Sequence, residues 1–336
     1  MVSPGYLAGF IDGEGHLSLG KIPRHCRSTE FPLRVVVYNT NLEILKEVQA
    51  AWGGTLSDSG SRNPRWKPGR ALIWTNAAAA SVLVRVAPHL RVKSRQASKL
   101  LRFHKHIRSC RRLRDRRGQL LPLSKTEYRF RDACHKRIRQ LNARGRLEGA
   151  PSRRNGTHGH PPHVRAGSLP IEYLAGFVDG EGSLMITRWK GRGSGPHHRP
   201  RISISNTNRS VLEDIQRAYG GILTYQDSRE TGWKESFQLV WTNGMVEKLL
   251  AELSPDLRLK REQAAVMMEF IRHQKTTPRV RQGPNGRFFA PLLPDVIAYR
   301  ESLYNQMRGL NAKGPSPVFP HAGANLNPYR VTPSCV

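Results

Sequence analysis

The sequence predicts an α+β protein made of two pseudo-symmetric αββαββα repeats, each a four-stranded antiparallel sheet with helices on one side. Three observations predict it: a tandem repeat at a constant offset, the same order of hydrophobic periods in both copies, and matching cap and turn residues between them.

The repeat comes first because it fixes everything else. YLAGFIDGEG from Tyr6 returns as YLAGFVDGEG from Tyr173, an offset of 167. RVVVYNTNLEILKEVQAAWGGTL from Arg34 returns as RISISNTNRSVLEDIQRAYGGIL from Arg201. Trp74-Thr75-Asn76 returns as Trp241-Thr242-Asn243, and LRVKSRQA from Leu90 as LRLKREQA from Leu257. Leu141-Asn142-Ala143 matches Leu310-Asn311-Ala312, two residues further on. The expected division is a first repeat over 1–144, a basic Gly-, Pro- and His-rich linker over 145–170, a second repeat over 171–313, and a Pro-rich, disordered tail over 314–336.

Within each copy the elements follow in order. Tyr6 to Asp12 reads as a short apolar helix closed by a glycine-containing turn. Alternation then sets Leu17 and Leu19 against His16 and Ser18, and Leu184 and Ile186 against Ser183, Met185 and Thr187, as strands require. Residues 32–38 and 200–205 form a second strand, with Ile202 and Ile204 inward and Arg201, Ser203 and Ser205 outward. A helix runs from about Asn41 to Trp52; Thr40 and Glu43 fit a capping box, and Gly53-Gly54 suits the stop. Two further strands lead to Trp74 and Trp241. Asn76 and Asn243 then read as helix N-caps, ahead of long basic helices starting near Leu90 and Leu257 and one more C-terminal helix.

The composition narrows the partner. The chain of 336 residues has 55 Lys and Arg against 25 Asp and Glu, a formal charge of +30. A protein this basic repels itself unless it meets a polyanion, so nucleic acid is the expected partner. The first 167 residues carry 33 basic and 10 acidic side chains, the remainder 22 and 15, so the first half should make more of the salt-sensitive phosphate contact. Cys26, Cys110, Cys134 and Cys335 form no CxxC pair and read as free thiols. His158, His160 and His163, and again His197 and His198, lie among Gly, Pro and Arg and read as solvated linker. No run of about 18 apolar residues suggests a membrane span, and no targeting peptide is seen, so the expectation is an intracellular protein, from a bacterial cytoplasm or an organelle.

The paired decapeptides, YLAGFIDGEG and YLAGFVDGEG, resemble the motif that names the LAGLIDADG family of homing endonucleases, in the double-motif, monomeric form. That resemblance implies two motif helices side by side between the subdomains and two sheets forming a saddle over double-stranded DNA. Small residues at Ala8, Gly9, Ala175 and Gly176 suit such a close crossing. The crossing would bring Glu14 and Glu181 near a shared axis, where helix C-termini add negative potential. Both motifs carry Glu where the family name has its last Asp. The resemblance implies that Glu14 and Glu181 ligate Mg²⁺, or another divalent cation such as Mn²⁺, with the Gly13 and Gly180 carbonyls as further ligands. Asp12 and Asp179 read as structural acceptors. The implied reaction is metal-dependent hydrolysis of both strands of a long asymmetric site, leaving short 3′ overhangs, by an enzyme encoded in a group I intron.

By the same resemblance a basic residue assists near each scissile phosphate: Lys93 and Lys260, or, on the alternative alignment, Arg95 and Glu262. Asn39 and Asn206 sit where polar side chains organise solvent, though a turn explains them nearly as well. Candidates for base or backbone contacts are Arg34, Arg70, Arg201, Ser203, Ser205 and Gln238, with the Arg-rich loops 21–27, 62–70 and 188–201 reaching flanking DNA. Two rival readings share this fold. One is an RNA maturase binding intron RNA, for which CRRLRDRR after Cys110 is a candidate contact; the other is a DNA-binding descendant that no longer cuts.

Overall fold

The computed structural model describes residues 1–24, 27–60, 69–110, 114, 116, 121–143, 169–190, 196–226, 236–278, 281–282, 288–289 and 292–312. Most of the expected linker and all of the tail from residue 314 lie outside these residues, as do five of the eight residues of CRRLRDRR.

The first repeat opens with α1 (Pro4–Glu14), which starts where Ser3 Oγ accepts from Tyr6 N and Pro4 supplies a preset φ. Strand β1 (Gly15–Leu19) leaves it directly, and the short pair β2 (Ile22–Arg24) and β3 (Arg27–Glu30) leads to β4 (Leu33–Asn39). Then come α2 (Leu42–Trp52), β5 (Thr55–Gly60), β6 (Gly69–Thr75), α3 (Asn76–Val86), α4 (Ser94–Ser109) and α5 (Lys125–Asn142). The second repeat restates this as α6 (Ile171–Glu181), β7 (Gly182–Lys190), β8 (Pro196–Asn206), α7 (Arg209–Tyr219), β9 (Ile222–Gln226), β10 (Ser236–Thr242), α8 (Gly244–Leu253) and α9 (Arg261–Thr276). A two-residue pair, β11 (Arg281–Gln282) with β12 (Phe288–Phe289), precedes α10 (Pro294–Leu310).

Each repeat has one four-stranded antiparallel sheet, ordered β1-β4-β6-β5 and β7-β8-β10-β9. Register fixes the faces. Leu17 pairs with Val35, which pairs with Trp74; Leu184 pairs with Ile202, which pairs with Trp241. These residues are at most 1 % exposed, under the helices, so the alternate residues form the opposite face. The two trapped indoles satisfy their N–H groups on the preceding helix: Trp74 Nε1 donates to Trp52 O and Trp241 Nε1 to Tyr219 O, both at 3.0 Å. The apolar side chains of both repeats join in one continuous core.

Several local expectations need correction. The α2 cap is Asn41, whose side chain accepts from Glu43 N and Ile44 N, rather than Thr40 in a capping box. Asn76 is not a side-chain cap. It sits at φ 47°, and its Oδ1 accepts from Leu33 N at 3.2 Å, tying the start of α3 to β4. Asn243 holds the cap position at φ 53° without a side-chain cap bond. Asparagine tolerates this left-handed region better than other side chains do, which accounts for its recurrence here. The helices expected near Leu90 and Leu257 begin at Ser94 and Arg261, because 90–93 and 257–260 form turns that serve the site. His197 and His198 belong to β8 rather than to a linker; the His198 side chain is 1 % exposed and its Nε2 lies 2.9 Å from Glu301 Oε2.

Candidate active site at the helix crossing

Close approach of α1 and α6 builds the centre of the molecule. A Cβ placed on Gly9 would lie 2.0 Å from Tyr173 O, and one on Gly176 would lie 2.0 Å from Tyr6 O. Neither position admits any side chain, so the two backbones touch. One turn later Gly13 faces Gly180: a Cβ on Gly13 would lie 3.2 Å from Gly180 Cα and 3.3 Å from Glu181 Cγ, and the converse distances are the same. Each glycine therefore makes room for the other repeat's glutamate, and Glu14 and Glu181, the last residues of their helices, meet across the pseudo-twofold axis.

Beneath them lies a pair of reciprocal bonds that the sequence does not reveal. Asp12 Oδ atoms accept from Arg91 N at 2.7 Å, Val92 N at 3.0 Å and Lys93 N at 2.8 Å, and from Tyr173 OH, in the other repeat, at 2.8 Å. Asp179 accepts from Arg258 N, Leu259 N and Lys260 N at 2.8–3.0 Å, and from Tyr6 OH at 2.6 Å. Both aspartates are 1 % exposed, and four donors apiece are what such buried carboxylates require. Beside the carboxylates, burial pushes both tyrosine hydroxyls well above their ordinary range. The signal was available in principle, since Tyr and Asp recur together in both motifs, but only the crossing shows that each tyrosine serves the other repeat's aspartate.

The same turns deliver the two lysines. Lys93 Nζ donates to Ile11 O at 3.0 Å and to Asp12 O, and Lys260 Nζ donates to Asp179 O. They stand at the negative ends of the motif helices, a favourable place for a cation. Burial lowers both lysine pKa values, against the pull of Asp12 or Asp179 and of both glutamates. Burial raises Glu14, with Glu181's charge adding to the effect and the two lysines opposing it; burial likewise raises Glu181. The structure thus brings Glu14, Glu181, Lys93 and Lys260 into one electrostatically coupled cluster. Of the two alignments, it places the lysines at the centre. Arg95 instead lines a surface groove on α4.

The LAGLIDADG endonuclease family model matches residues 174–249, from the second motif helix into α8. A probable intron-encoded endonuclease, aI3 of Dictyostelium citrinum, is 32 % identical over 72 residues, 21 % of this chain and 28 % of the relative's length. Over those residues the chain is similar to the LAGLIDADG endonuclease family. Among solved structures it is similar to I-SmaMI bound to an uncleaved DNA target in the presence of calcium ions, at a TM-score of 0.63 and 15 % identity over 92 % of this chain and 99 % of that one. It is also similar to the LAGLIDADG homing endonuclease I-GzeII in complex with its DNA target, at 0.62 and 12 % over 91 % and 98 %. At these identities the likeness is one of fold.

The outer sheet faces hold some of the expected reading residues and not others. Arg34 is exposed and opposite Ser18 and Thr75. In the second repeat Arg201 Nη2 donates to Gln238 Oε1 at 2.9 Å, and Gln238 Nε2 to Ser205 Oγ at 3.3 Å, a polar chain across β8 and β10. Ser203, between Arg201 and Ser205 on that face, is only 4 % exposed, and the neighbouring Arg201 reaches along the face to Gln238. The expected outward role of Ser203 is therefore corrected. So is that of Arg70, which shares the parity of the core residues Leu72 and Trp74 and pairs with Asp58 at 2.6 Å. Asn39 Oδ1 accepts from Asn41 N, and Asn206 Oδ1 from Asn208 N, both at 2.8 Å, so these oxygens are engaged in the turns before α2 and α7.

One further group escaped the sequence reading. His106, Cys110 and Glu127 place potential ligand atoms within 4.8 Å of one another between α4 and α5. Glu127 is already held by Arg131 Nε at 2.6 Å and by His106 Nε2 at 2.9 Å, which keeps its carboxyl below the ordinary range despite burial. No helix among the described residues is long and apolar enough to cross a membrane.

Proposed function

We propose that the chain is a site-specific homing endonuclease that hydrolyses both strands of a long asymmetric duplex, with one carboxylate serving each strand. The observation that carries this reading is the meeting of Glu14 and Glu181 at the helix crossing, with Lys93 and Lys260 beside them. The residues fit a divalent cation. Two carboxylates, both with raised proton affinity from burial and Glu14's raised further by the charge of Glu181, form an all-oxygen donor set of net charge −2, which suits Mg²⁺ or Mn²⁺. Glu14 and Glu181 would hold the ion, with the carbonyls of Gly13 and Gly180, one residue earlier in each motif, as further ligands. When bound, such an ion supplies a more acidic water and offsets charge on the scissile phosphate and the leaving 3′ oxygen.

The chain's own residues do the rest. Asp12 and Asp179, each held by three amides and a tyrosine, fix the turns that carry the lysines. The lysine ammonium groups favour the ionised form of the glutamates and add positive potential where a phosphate must enter. The exposed faces of the two sheets carry Arg34 in one repeat and Arg201, Gln238 and Ser205 in the other, so the halves read different sequences. Residues 145–170 serve as the tether that makes one chain of two halves. The product is a break with short 3′ overhangs, and the gene is carried by a group I intron.

The test is cleavage of a randomised-site plasmid library in Mg²⁺. Wild type should linearise a defined subset, EDTA should abolish this, and Glu14→Gln with Glu181→Gln should lower the rate by at least about 10³-fold. Undiminished cutting by that double variant would defeat the assignment.

A further inference from the structure

The far end of α4 carries His106 and, at its C-cap, Cys110, four residues apart and so neighbours on one side of the helix. Helix α5 brings Glu127, in its first turn, to the same place. One ligand atom from each of the three lies within 4.8 Å of the other two, and all three residues are half-buried, open to an ion from solvent. His106 Nε2 is 2.9 Å from Glu127 Oε2. Glu127 Oε1 is engaged separately by Arg131 Nε at 2.6 Å, which fixes the carboxylate while its second oxygen faces the imidazole. Tetrahedral zinc, with Zn–N and Zn–O of about 2.0–2.1 Å and Zn–S of about 2.3 Å, spaces such a nitrogen and oxygen about 3.3 Å apart and the sulfur about 3.5 Å from the nitrogen. Entry of the ion therefore widens the first contact by a few tenths of an ångström and draws the sulfur in. Cys110 sits where α4 ends, with φ −79° and ψ 109°, so this adjustment falls on a chain end and not on a helix interior.

The second repeat shows which of these residues the fold itself uses. At the offsets that relate α4 to α9 and α5 to α10, His106, Phe130 and Arg131 return as His273, Tyr299 and Arg300. In both copies the aromatic ring packs on the imidazole, with centroids 4.0 and 4.6 Å apart, and the arginine is at most 8 % exposed. Cys110 and Glu127 return as Thr277 and Val296. The same helix pair thus packs without a thiol or a carboxylate at these positions, and the two anionic groups belong to one copy alone.

We propose that His106, Cys110 and Glu127 bind one Zn²⁺, with water completing the tetrahedron, as a clip between α4 and α5. A thiolate, a neutral imidazole and a carboxylate offset the ion's charge and offer sulfur, nitrogen and oxygen, a set that suits Zn²⁺ and not Mg²⁺. Binding releases the Cys110 thiol proton and the proton on the ligating imidazole nitrogen where one is present. The site is separate from the all-oxygen pair Glu14 and Glu181: it lies at the opposite end of α4 from Lys93, about 25 Å along the helix axis. The clip closes the 16 residues between Cys110 and Glu127. Helix α5 also braces β1, since His135 Nδ1 lies 2.7 Å from Leu19 O, Asn142 Nδ2 donates to Leu17 O at 2.7 Å, and Asp132 pairs with Lys21 at 2.6 Å. Holding α5 to α4 steadies that edge strand of the first sheet.

The test uses the full-length protein, reduced and stripped of metal, in excess Mg²⁺ so that a hard-ion site at the crossing does not compete. Co²⁺ is titrated in and read by thiolate-to-cobalt absorption, which oxygen and imidazole ligands alone do not produce. The band should saturate at about one equivalent and bleach on addition of Zn²⁺. It should persist in Glu14→Gln with Glu181→Gln, so the outcome does not depend on the catalytic reading. Cys110→Thr, which installs the second repeat's residue, should abolish the band, whereas Cys134→Ser should leave it. Glu127→Gln should weaken Co²⁺ binding by at least about tenfold. Zn²⁺ should raise the thermal midpoint of the wild type and not that of Cys110→Thr. Where a variant melts early, the wild type alone decides: Zn²⁺ should slow alkylation of Cys110, followed by peptide mass spectrometry, by at least about tenfold. No band in the wild type, a band that survives Cys110→Thr, or alkylation of Cys110 unchanged by Zn²⁺ would each overturn the proposal.

Discussion

A buried carboxylate survives in a folded chain only when donors surround it, and Asp12 and Asp179 show how closely this constrains the neighbouring residues. Each draws three amides from the turn before α4 or α9 and one phenol from the opposite repeat. Tyr6→Phe removes one of four donors from Asp179 without opening a cavity, so chemical denaturation should show a loss of about 1.5–3 kcal/mol, the usual worth of a hydrogen bond to a charged group. Tyr173→Phe should match it; a loss below about 0.5 kcal/mol would mean that three amides suffice. The glutamates carry the opposite sign. Their folded pKa values stand above the unfolded value of 4.5, so the folded state binds more protons in that window. The cost of two adjacent charges is then full at pH above both raised values and fades as pH falls. Glu14→Gln should raise the thermal midpoint in EDTA at pH 8, with a gain that shrinks toward pH 4.5. No gain at pH 8 would show that the pair does not repel.

The elements that matter most are the two motif helices, and their contact rests on the absence of two side chains. Gly9→Ala puts a methyl carbon 2.0 Å from a carbonyl oxygen of the facing helix, with no flexible group to move aside. The helices must separate, and overpacking of this kind costs about 1–3 kcal/mol or more. Thermal melts should show a fall of several degrees, with cleavage lost more steeply than stability because the glutamates part. At this scale much was legible from the sequence. Repetition located both motif helices, the strands around Leu17 and Ile202, and the capped helices α2 and α7, since each has a period or a cap that local chemistry enforces. What escaped was set by partners distant in sequence. Alternation could not reveal that Arg70 falls on the core side of β6, because the next four residues, Ala71 to Trp74, are all apolar and show no inward-outward period. Ser203 reads as outward by period and is so by parity, yet it is only 4 % exposed. Asn76 has the composition of a cap and uses its side chain on β4 instead. At the centre, the glutamates and lysines were visible as matched pairs, whereas the tyrosine–aspartate exchange needed the crossing itself.

Across the whole molecule, the halves share one interior rather than merely touching. Tyr6, Leu7, Phe10, Tyr173, Leu174 and Phe177 are at most 2 % exposed, and all belong to a core continuous through both repeats. Arg258 adds a polar clasp at the rim: it donates to Met1 O at 2.9 Å, pairs with Glu47 and stands 5.2 Å over the Tyr6 ring. Separating the repeats would expose the apolar side chains along the helix crossing and would leave two aspartates short of a donor. Neither half can then remain folded while its partner unfolds. Scanning calorimetry of the full-length protein should therefore show a single transition whose van't Hoff and calorimetric enthalpies agree. Gly9→Ala should lower that one transition without splitting it, since it weakens the contact on which both halves depend. Two resolved transitions, one of them unmoved by the substitution, would show that each repeat carries a sufficient core of its own, and that the helix crossing orients the carboxylates without holding the molecule together.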